Sequence, residues 1–135
     1  MTPDYPSNYE DNIICNWEVT SPIQTTIKLA FDDFETEECC DELKIYDGPS
    51  MKGNMMEFRG TAVPAFYQST GNSLYLQFKS DHSSTRKGFN LSYSWEGRNT
   101  NTSFLALFIF HFLKIYLILQ CKISFTFFSE CIMRQ

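Results

Sequence analysis

Residues 34–48, FETEECCDELKIYDG, pass from an acidic loop through two adjacent cysteines into a short alternating segment and a turn. Leu43 and Ile45 alternate with polar neighbours, which is the period of a strand with one buried face. The YDGPS sequence at its end is rich in residues that favour turns. This stretch therefore predicts a loop, a half-buried strand and a turn in succession.

The same alternation recurs through residues 1–97, and no window of this region has the period of a helix. Segments rich in Gly, Pro, Asn, Asp and Ser separate the alternating stretches, as turns between strands require. Short strands without intervening helices predict an all-β fold, an antiparallel two-sheet β-sandwich. Its core is expected to hold five aromatic residues of these stretches: Trp17, Phe31, Phe78, Phe89 and Tyr93.

Charge divides the chain into two regions. Residues 1–97 carry 15 acidic and 7 basic side chains, whereas residues 98–135 carry 1 acidic and 4 basic side chains. The length suits one domain, which we place at residues 1–97, followed by an apolar tail at residues 98–135. An acidic domain does not offer the cationic surface that phosphates need, so its charge argues against DNA or RNA and favours cations or basic proteins as partners.

The tail contains an apolar run at residues 104–119, FLALFIFHFLKIYLIL, which is slightly shorter than a typical membrane span and includes a lysine. One interpretation is a membrane anchor. A second is read-through of an A+T-rich noncoding stretch, which would give the same excess of Phe, Ile, Leu, Tyr, Lys and Ser. A cleaved anchoring signal fits least, because SECIMRQ follows the apolar residues. No signal peptide precedes the domain, so we expect either a cytosolic protein or a sequence that lacks its true start.

The acidic loop is the most unusual feature, because seven carboxylates lie between Asp32 and Glu42. Two like charges 4 Å apart repel by about 4 kcal/mol at a protein-like dielectric of about 20. We therefore expect this charge to be compensated.

Residues 2–95 resemble the CUB domain, an extracellular β-sandwich module of jelly-roll type. The resemblance lies in six motifs that follow one another in the family's order: TPDYPSNY, CNWEV, IKLAFDDFETE, CDELKIYDG, STGNSLYLQFKSD and KGFNLSY. Many CUB domains bind calcium, and by motif the resemblance assigns its ligands to Glu37, Asp41 and Asp81, with Ser83 as a further oxygen ligand. Calcium prefers oxygen ligands from flexible loops and would neutralise the repulsion described above. For the other carboxylates we predict a solvated acidic rim: Asp32, Asp33, Glu35, Glu38 and Glu42.

The resemblance also implies how a partner is bound. In the family, a basic side chain, often Lys, docks against the calcium-site carboxylates, with the second tyrosine of the opening motif nearby. Tyr9 occupies that position here, and a packing role for Tyr9 is the alternative. The predicted partner is an extracellular protein with an exposed Lys or Arg.

The cysteines depart from the family pattern. The chain has an odd number, Cys15, Cys39, Cys40, Cys121 and Cys131, so at least one is free, modified or paired outside the chain. The family pairs the cysteine at position 15 with an upstream one, and Cys39 or Cys40 with a cysteine near EFRG, and neither partner is present. A vicinal disulfide between Cys39 and Cys40, a bond to Cys15 and a bond to another chain all remain open. Asn90 in NLS and Asn101 in NTS are glycosylation sequons that require the secretory pathway.

These observations predict a secreted, non-catalytic, calcium-dependent binding module. A membrane-tethered adhesion or receptor fragment and a non-catalytic module of an extracellular peptidase are the alternatives. Asp81, His82 and Ser83 do not form a convincing hydrolytic triad, because triad members normally converge from separate segments. The sequence also lacks G-x-S-x-G and H-E-x-x-H, so we predict that the chain is not an enzyme.

Overall fold

The structure, a computed structural model, describes residues 1–98 and 128–133, and of the side chains in the second range it describes only that of Cys131. The described residues form eight strands and no helix. In chain order these strands are β1 (Ile13–Thr20), β2 (Thr25–Glu35), β3 (Glu42–Asp47), β4 (Asn54–Phe58), β5 (Phe66–Gln68), β6 (Ser73–Lys79), β7 (Gly88–Gly97) and β8 (Phe128–Met133).

The strands form two antiparallel sheets. One sheet has five strands in the order β4-β3-β6-β1-β8, and the other has three in the order β5-β2-β7. The predicted all-β, two-sheet sandwich is therefore confirmed.

The core lies where the alternating positions of both sheets face inward. In β1, Ile13, Cys15, Trp17 and Val19 are all at most 5% exposed, and the intervening residues are more accessible. Phe78 and Phe89 are buried, and their rings pack edge to face with centroids 5.4 Å apart. Phe31 and Tyr93 are half-buried against this core. The aromatic residues expected in the core are thus found there.

Strand register brings two connections to one end of the sandwich. Glu35, the last residue of β2, pairs with Gly88, the first of β7. Glu42, the first residue of β3, pairs with Lys79, the last of β6. The β2–β3 connection and the β6–β7 connection must therefore leave their sheets at the same end. Each crosses from one sheet to the other there, side by side with the other connection.

Part of the predicted tail lies in the five-stranded sheet. Strand β8 pairs with β1, and this register sets Cys131 opposite Cys15. The apolar run at residues 104–119 lies outside the described residues, as does Cys121. Within residues 1–98 and 128–133 we find no helix long and apolar enough to cross a membrane.

Candidate metal centre

Three carboxylates meet at the end where the two connections run side by side. Glu37, Asp41 and Asp81 each offer an oxygen, and these oxygens lie within 4.8 Å of one another. Asp41 is fully buried, whereas Glu37 and Asp81 are half-buried. No lysine or arginine of the described residues forms an ion pair with any of the three. The three acidic residues that the resemblance assigned to a calcium site are therefore brought together, and no lysine or arginine in the described part of the chain neutralises them.

The Asp41 carboxylate is held on both of its oxygens. The hydroxyl of Tyr9 donates to Oδ2 (2.5 Å), and the backbone N–H of Asp81 donates to Oδ1 (2.8 Å). Each oxygen keeps a lone pair, because a carboxylate oxygen can accept more than one hydrogen bond. Asp41 thus has a fixed orientation and spare capacity to bind a cation.

Tyr9 links this cluster to the core. Its ring is 1% exposed and packs edge to face on Phe78, with centroids 4.9 Å apart. Its hydroxyl oxygen accepts the N–H of Glu37 (3.1 Å) while donating to Asp41. Burial, reinforced by the hydrogen bond to Asp41, raises the pKa of Tyr9 well above its usual value, so the hydroxyl stays a donor at neutral pH. Of the two roles that the sequence left open for Tyr9, partner binding and packing, its burial matches packing, and its hydroxyl also orients two carboxylate residues.

Glu37 provides the test of whether a cation fits. Its Oε2 atom is buried and has no hydrogen-bond partner among the described residues. An unpartnered buried carboxylate oxygen is costly, and such atoms usually have a bound water or ion. The oxygen-only donor set is also the one that calcium prefers. The residues therefore fit a hard divalent cation.

Ser83 contacts the cluster through its backbone. Its N–H donates to Oδ1 of Asp81 (3.0 Å), and the residue itself is exposed. Oδ2 of Asp81 lies 3.6 Å from Nδ1 of His82, whose side chain is 82% exposed. This backbone hydrogen bond orients Asp81. The Ser83 hydroxyl takes no part in it, so its role as a metal ligand stays a prediction.

The predicted solvated acidic rim is wrong for Glu42, which is buried, whereas Asp33 has a basic partner but keeps 31% of its side chain exposed. Glu42 is 9% exposed, accepts from Lys44 (2.5 Å) and pairs with Arg59. Asp33 accepts from Lys87 (2.9 Å) and Tyr5 (2.8 Å), and these bonds lower the pKa of its carboxyl. The sequence pattern could not show the contacts of Arg59 and Lys87, because these two residues lie in other segments, whereas Lys44 is two residues from Glu42 on β3.

Arg59 has a role that sequence reasoning missed. One guanidinium nitrogen donates to the backbone oxygen of Cys39, a second to Glu42 and a third to Glu57 (2.7 Å). The hydrogen bond from Arg59 also lowers the pKa of Glu57. Arg59 lies in EFRG, where the resemblance implied a cysteine, so hydrogen bonds tie the acidic loop to this segment here. The departure of EFRG from the family motif was the only signal of this in the sequence.

The disulfides partly follow the open alternatives. Cys39 and Cys40 form the vicinal bond that was one of them. Cys15 instead bonds to Cys131, a partner that the sequence analysis did not consider. The reason is tertiary: β8 pairs with β1, which brings together two residues separated by 116 positions.

The two sequons differ in what the structure describes. Asn90 lies on β7, an edge strand of the three-stranded sheet, and is half-buried. Asn101 lies outside the described residues.

Comparison with known proteins supports one family. The model of the CUB domain matches residues 1–93. Pig (Sus scrofa) cubilin is 41% identical over 103 residues, an alignment that covers 69% of this chain and 3% of cubilin. Human (Homo sapiens) tolloid-like protein 1 is 36% identical over 100 residues, which cover 70% of this chain and 10% of that protein. The chain therefore spans a small fraction of the curated relatives that it matches.

A solved structure gives the same match in three dimensions. The crystal structure of the MASP-1 CUB2 domain bound to Ca²⁺ superposes with a TM-score of 0.61 at 27% sequence identity. The superposition covers 68% of this chain and 86% of that one.

Proposed function

The chain belongs to the CUB domain family, and on that premise we propose that it is a calcium-dependent binding module that captures a basic side chain of an extracellular protein. CUB domains are generally non-catalytic, and the relatives are extracellular or secreted proteins. We propose the same non-catalytic role and the same compartment for this chain.

One observation carries the proposal: the buried Oε2 of Glu37 lacks a hydrogen-bond partner, and it belongs to a cluster of three carboxylates that no lysine or arginine of the described residues pairs with. A calcium ion held by Glu37, Asp41 and Asp81 would satisfy that oxygen and offset the mutual repulsion. The related MASP-1 domain was crystallised with this ion. Calcium would supply structural order and would leave the chemistry of recognition to the side chains.

Recognition would use the accessible oxygens of the same cluster. Asp81 keeps 28% of its side chain exposed, whereas Asp41 is fully buried. An ammonium group of a partner would therefore approach Asp81 and Glu37, with Asp41 and Tyr9 as the fixed support beneath them. Charge-assisted hydrogen bonds of this kind are about twice as strong as neutral ones.

The first test is thermal unfolding of the full chain in calcium, in magnesium and in chelator. Extracellular calcium modules bind with Kd of about 10⁻⁴ to 10⁻³ M, so 10 mM calcium should stabilise the fold by about 1.4 to 2.7 kcal/mol. Glu37→Gln and Asp81→Asn should remove this increment, and Glu38→Gln, an exposed neighbour, should retain it. A calcium response that is absent, or that magnesium reproduces fully, would overturn the proposed metal.

The second test addresses the basic partner. We expect the full chain to be retained on immobilised lysine in calcium and to elute with chelator. If the chain stays bound to the lysine resin in chelator, lysine binds at a site other than the proposed calcium site.

Glycosylation is a further part of the proposal. Asn90 is accessible enough on its edge strand to accept a glycan in the secretory pathway. Expression in secreting cells followed by glycosidase treatment should shift the mass of the wild-type chain. Because Asn101 is also a sequon, comparison with Asn90→Gln assigns the site.

A further inference from the structure

A polar cleft of 260 Å³ lies beside the carboxylate cluster. Thr36 forms part of its wall and precedes the proposed ligand Glu37 in the chain. The Thr36 hydroxyl donates to the backbone oxygen of Asp41 (3.3 Å) and accepts the N–H of Gly60 (3.0 Å), another lining residue. The cleft and the cluster therefore share one hydrogen-bonded wall.

Two arginines line this cleft, and they differ in what they already bind. Arg59 uses its guanidinium on Glu42, Glu57 and the backbone of Cys39. Two carboxylates neutralise its charge, and each of its three nitrogens already donates one hydrogen bond. Arg59 thus lines the cleft but is not expected to bind a ligand there.

Arg86 is held in place, yet its charge is open. Its Nη1 donates to the backbone oxygens of Ser84 and Thr85 (both 3.1 Å). Within the described part of the chain, no carboxylate pairs with Arg86, and its Nε and Nη2 atoms make no hydrogen bond. A guanidinium that is already oriented, with two of its nitrogens free, is well suited to a carboxylate, because less side-chain entropy is lost on binding.

The main chain couples Arg86 to the cluster. The backbone oxygen of Arg86 accepts the N–H of Tyr9 (3.0 Å), and the hydroxyl of Tyr9 donates to Asp41. Arg86 also follows Asp81 by five positions in the same β6–β7 connection. One partner segment could therefore reach both the cluster and the cleft.

We propose that this cleft binds a carboxylate of the same partner whose basic side chain docks at the carboxylate cluster, so that the recognised segment carries a Lys close to an Asp or Glu. The inference rests on the proposed function and adds an acidic requirement to it. A single carboxylate fits better than a phosphate or a sulfated chain, because Glu35 and Glu38 also line the cleft and repel multiply charged anions.

The test uses the isotope-labelled full chain in calcium. Its ligands are blocked peptides in which a spacer of one to four residues separates the first residue from the last. Each Lys-spacer-Glu peptide is compared with its Lys-spacer-Gln and Gln-spacer-Glu counterparts, and Kd is measured by NMR titration. For at least one spacer, the Glu peptide should bind about two- to tenfold more tightly than the Gln peptide. Arg86→Gln should abolish this preference and leave the Kd of the Lys-spacer-Gln peptide and of calcium unchanged.

Two further variants control the result. Arg86→Lys keeps the charge but loses the planar fork, so it should retain part of the preference. Arg98→Gln removes an exposed arginine at the other end of β2, where Thr25 pairs with Gly97, and should behave as wild type. Unchanged calcium binding shows that each variant is folded.

The outcomes separate the two proposals. Equal affinity for Glu and Gln peptides at every spacer, or a preference that survives in Arg86→Gln, overturns the acidic requirement and leaves lysine capture intact. Failure of every Lys peptide to bind overturns both, unless Gln-spacer-Glu binds through Arg86. That last result would sink lysine capture and reveal a separate carboxylate site.

Discussion

Two groups of carboxylates lie near the same end of the sandwich, and the chain neutralises only one of them. In the first group each carboxylate has a basic partner: Asp33 pairs with Lys87, Glu42 with Lys44 and Arg59, and Glu57 with Arg59. In the second group, Glu37, Asp41 and Asp81, the hydrogen bonds come from uncharged donors, and the exposed His82 lies 3.6 Å from Asp81. The second group nevertheless contains the most deeply buried carboxylate, Asp41.

We infer from this difference that the first group supports the fold and that the second group is the proposed cation site. A buried carboxylate without a countercharge is costly, and the chain places basic residues within reach of acids on the strands next to the acidic loop. Stability alone would favour a lysine or arginine beside Asp41 as well. The open charge is therefore best explained by a ligand, and the following variants test that explanation.

The largest effect is expected for Asp41→Ala. This change leaves the Tyr9 hydroxyl and the Asp81 N–H without their acceptor and removes a proposed calcium ligand, so unfolding free energy should fall by about 3–5 kcal/mol in calcium. In chelator the loss should be smaller, because removing one like charge also relieves repulsion. Chemical denaturation in both conditions measures the difference.

If Asp41→Ala loses the same stability with and without calcium, Asp41 is not a calcium ligand. Asp41→Asn is the matched variant, since it keeps one acceptor oxygen and should fall between wild type and Asp41→Ala.

Glu42→Ala should have an intermediate effect that does not depend on calcium. It leaves Lys44 and Arg59 without their shared, mostly buried acceptor, which should cost about 1–3 kcal/mol. The calcium Kd, measured by calorimetry, should be within about twofold of wild type. A large drop in calcium affinity would show that the two carboxylate groups act as one network and do not have separate roles.

Much of the fold could be predicted from the sequence, because strand alternation depends on local pattern alone. Positions 13, 15, 17 and 19 alternate in the sequence and are buried in the structure. The three acidic residues of the cluster came from the family resemblance, and strand register explains their meeting. Glu35 opposite Gly88 and Glu42 opposite Lys79 place both connections at one end.

The parts that the sequence could not predict all depend on contacts between distant residues. Arg59 gave no periodic signal, and two of its three partners, Cys39 and Glu42, lie 20 and 17 positions away in the sequence. The bond between Cys15 and Cys131 required knowledge that β8 pairs with β1. The sequence allowed Tyr9 to be either exposed for partner binding or buried in the core, and its packing on Phe78 shows that it is buried. Calcium binding and lysine capture stay predictions.

The smallest effect concerns pH and the first group. The hydrogen bond from Lys87, followed by that from Tyr5, lowers the pKa of Asp33 below its usual value of about 3.9. A carboxyl with a lowered pKa in the folded state stabilises the fold above its unfolded pKa, and this contribution disappears as pH falls through the folded value. Asp33→Asn should therefore be slightly less stable than wild type at pH 7, and the two should converge as pH falls below the lowered pKa of Asp33. Asp11→Asn, at an exposed carboxylate without a side-chain hydrogen bond among the described residues, should follow the wild-type curve throughout. If Asp33→Asn also follows it, the pairing with Lys87 contributes nothing measurable, and the first group's stabilising role reduces to Glu42 and its two basic partners.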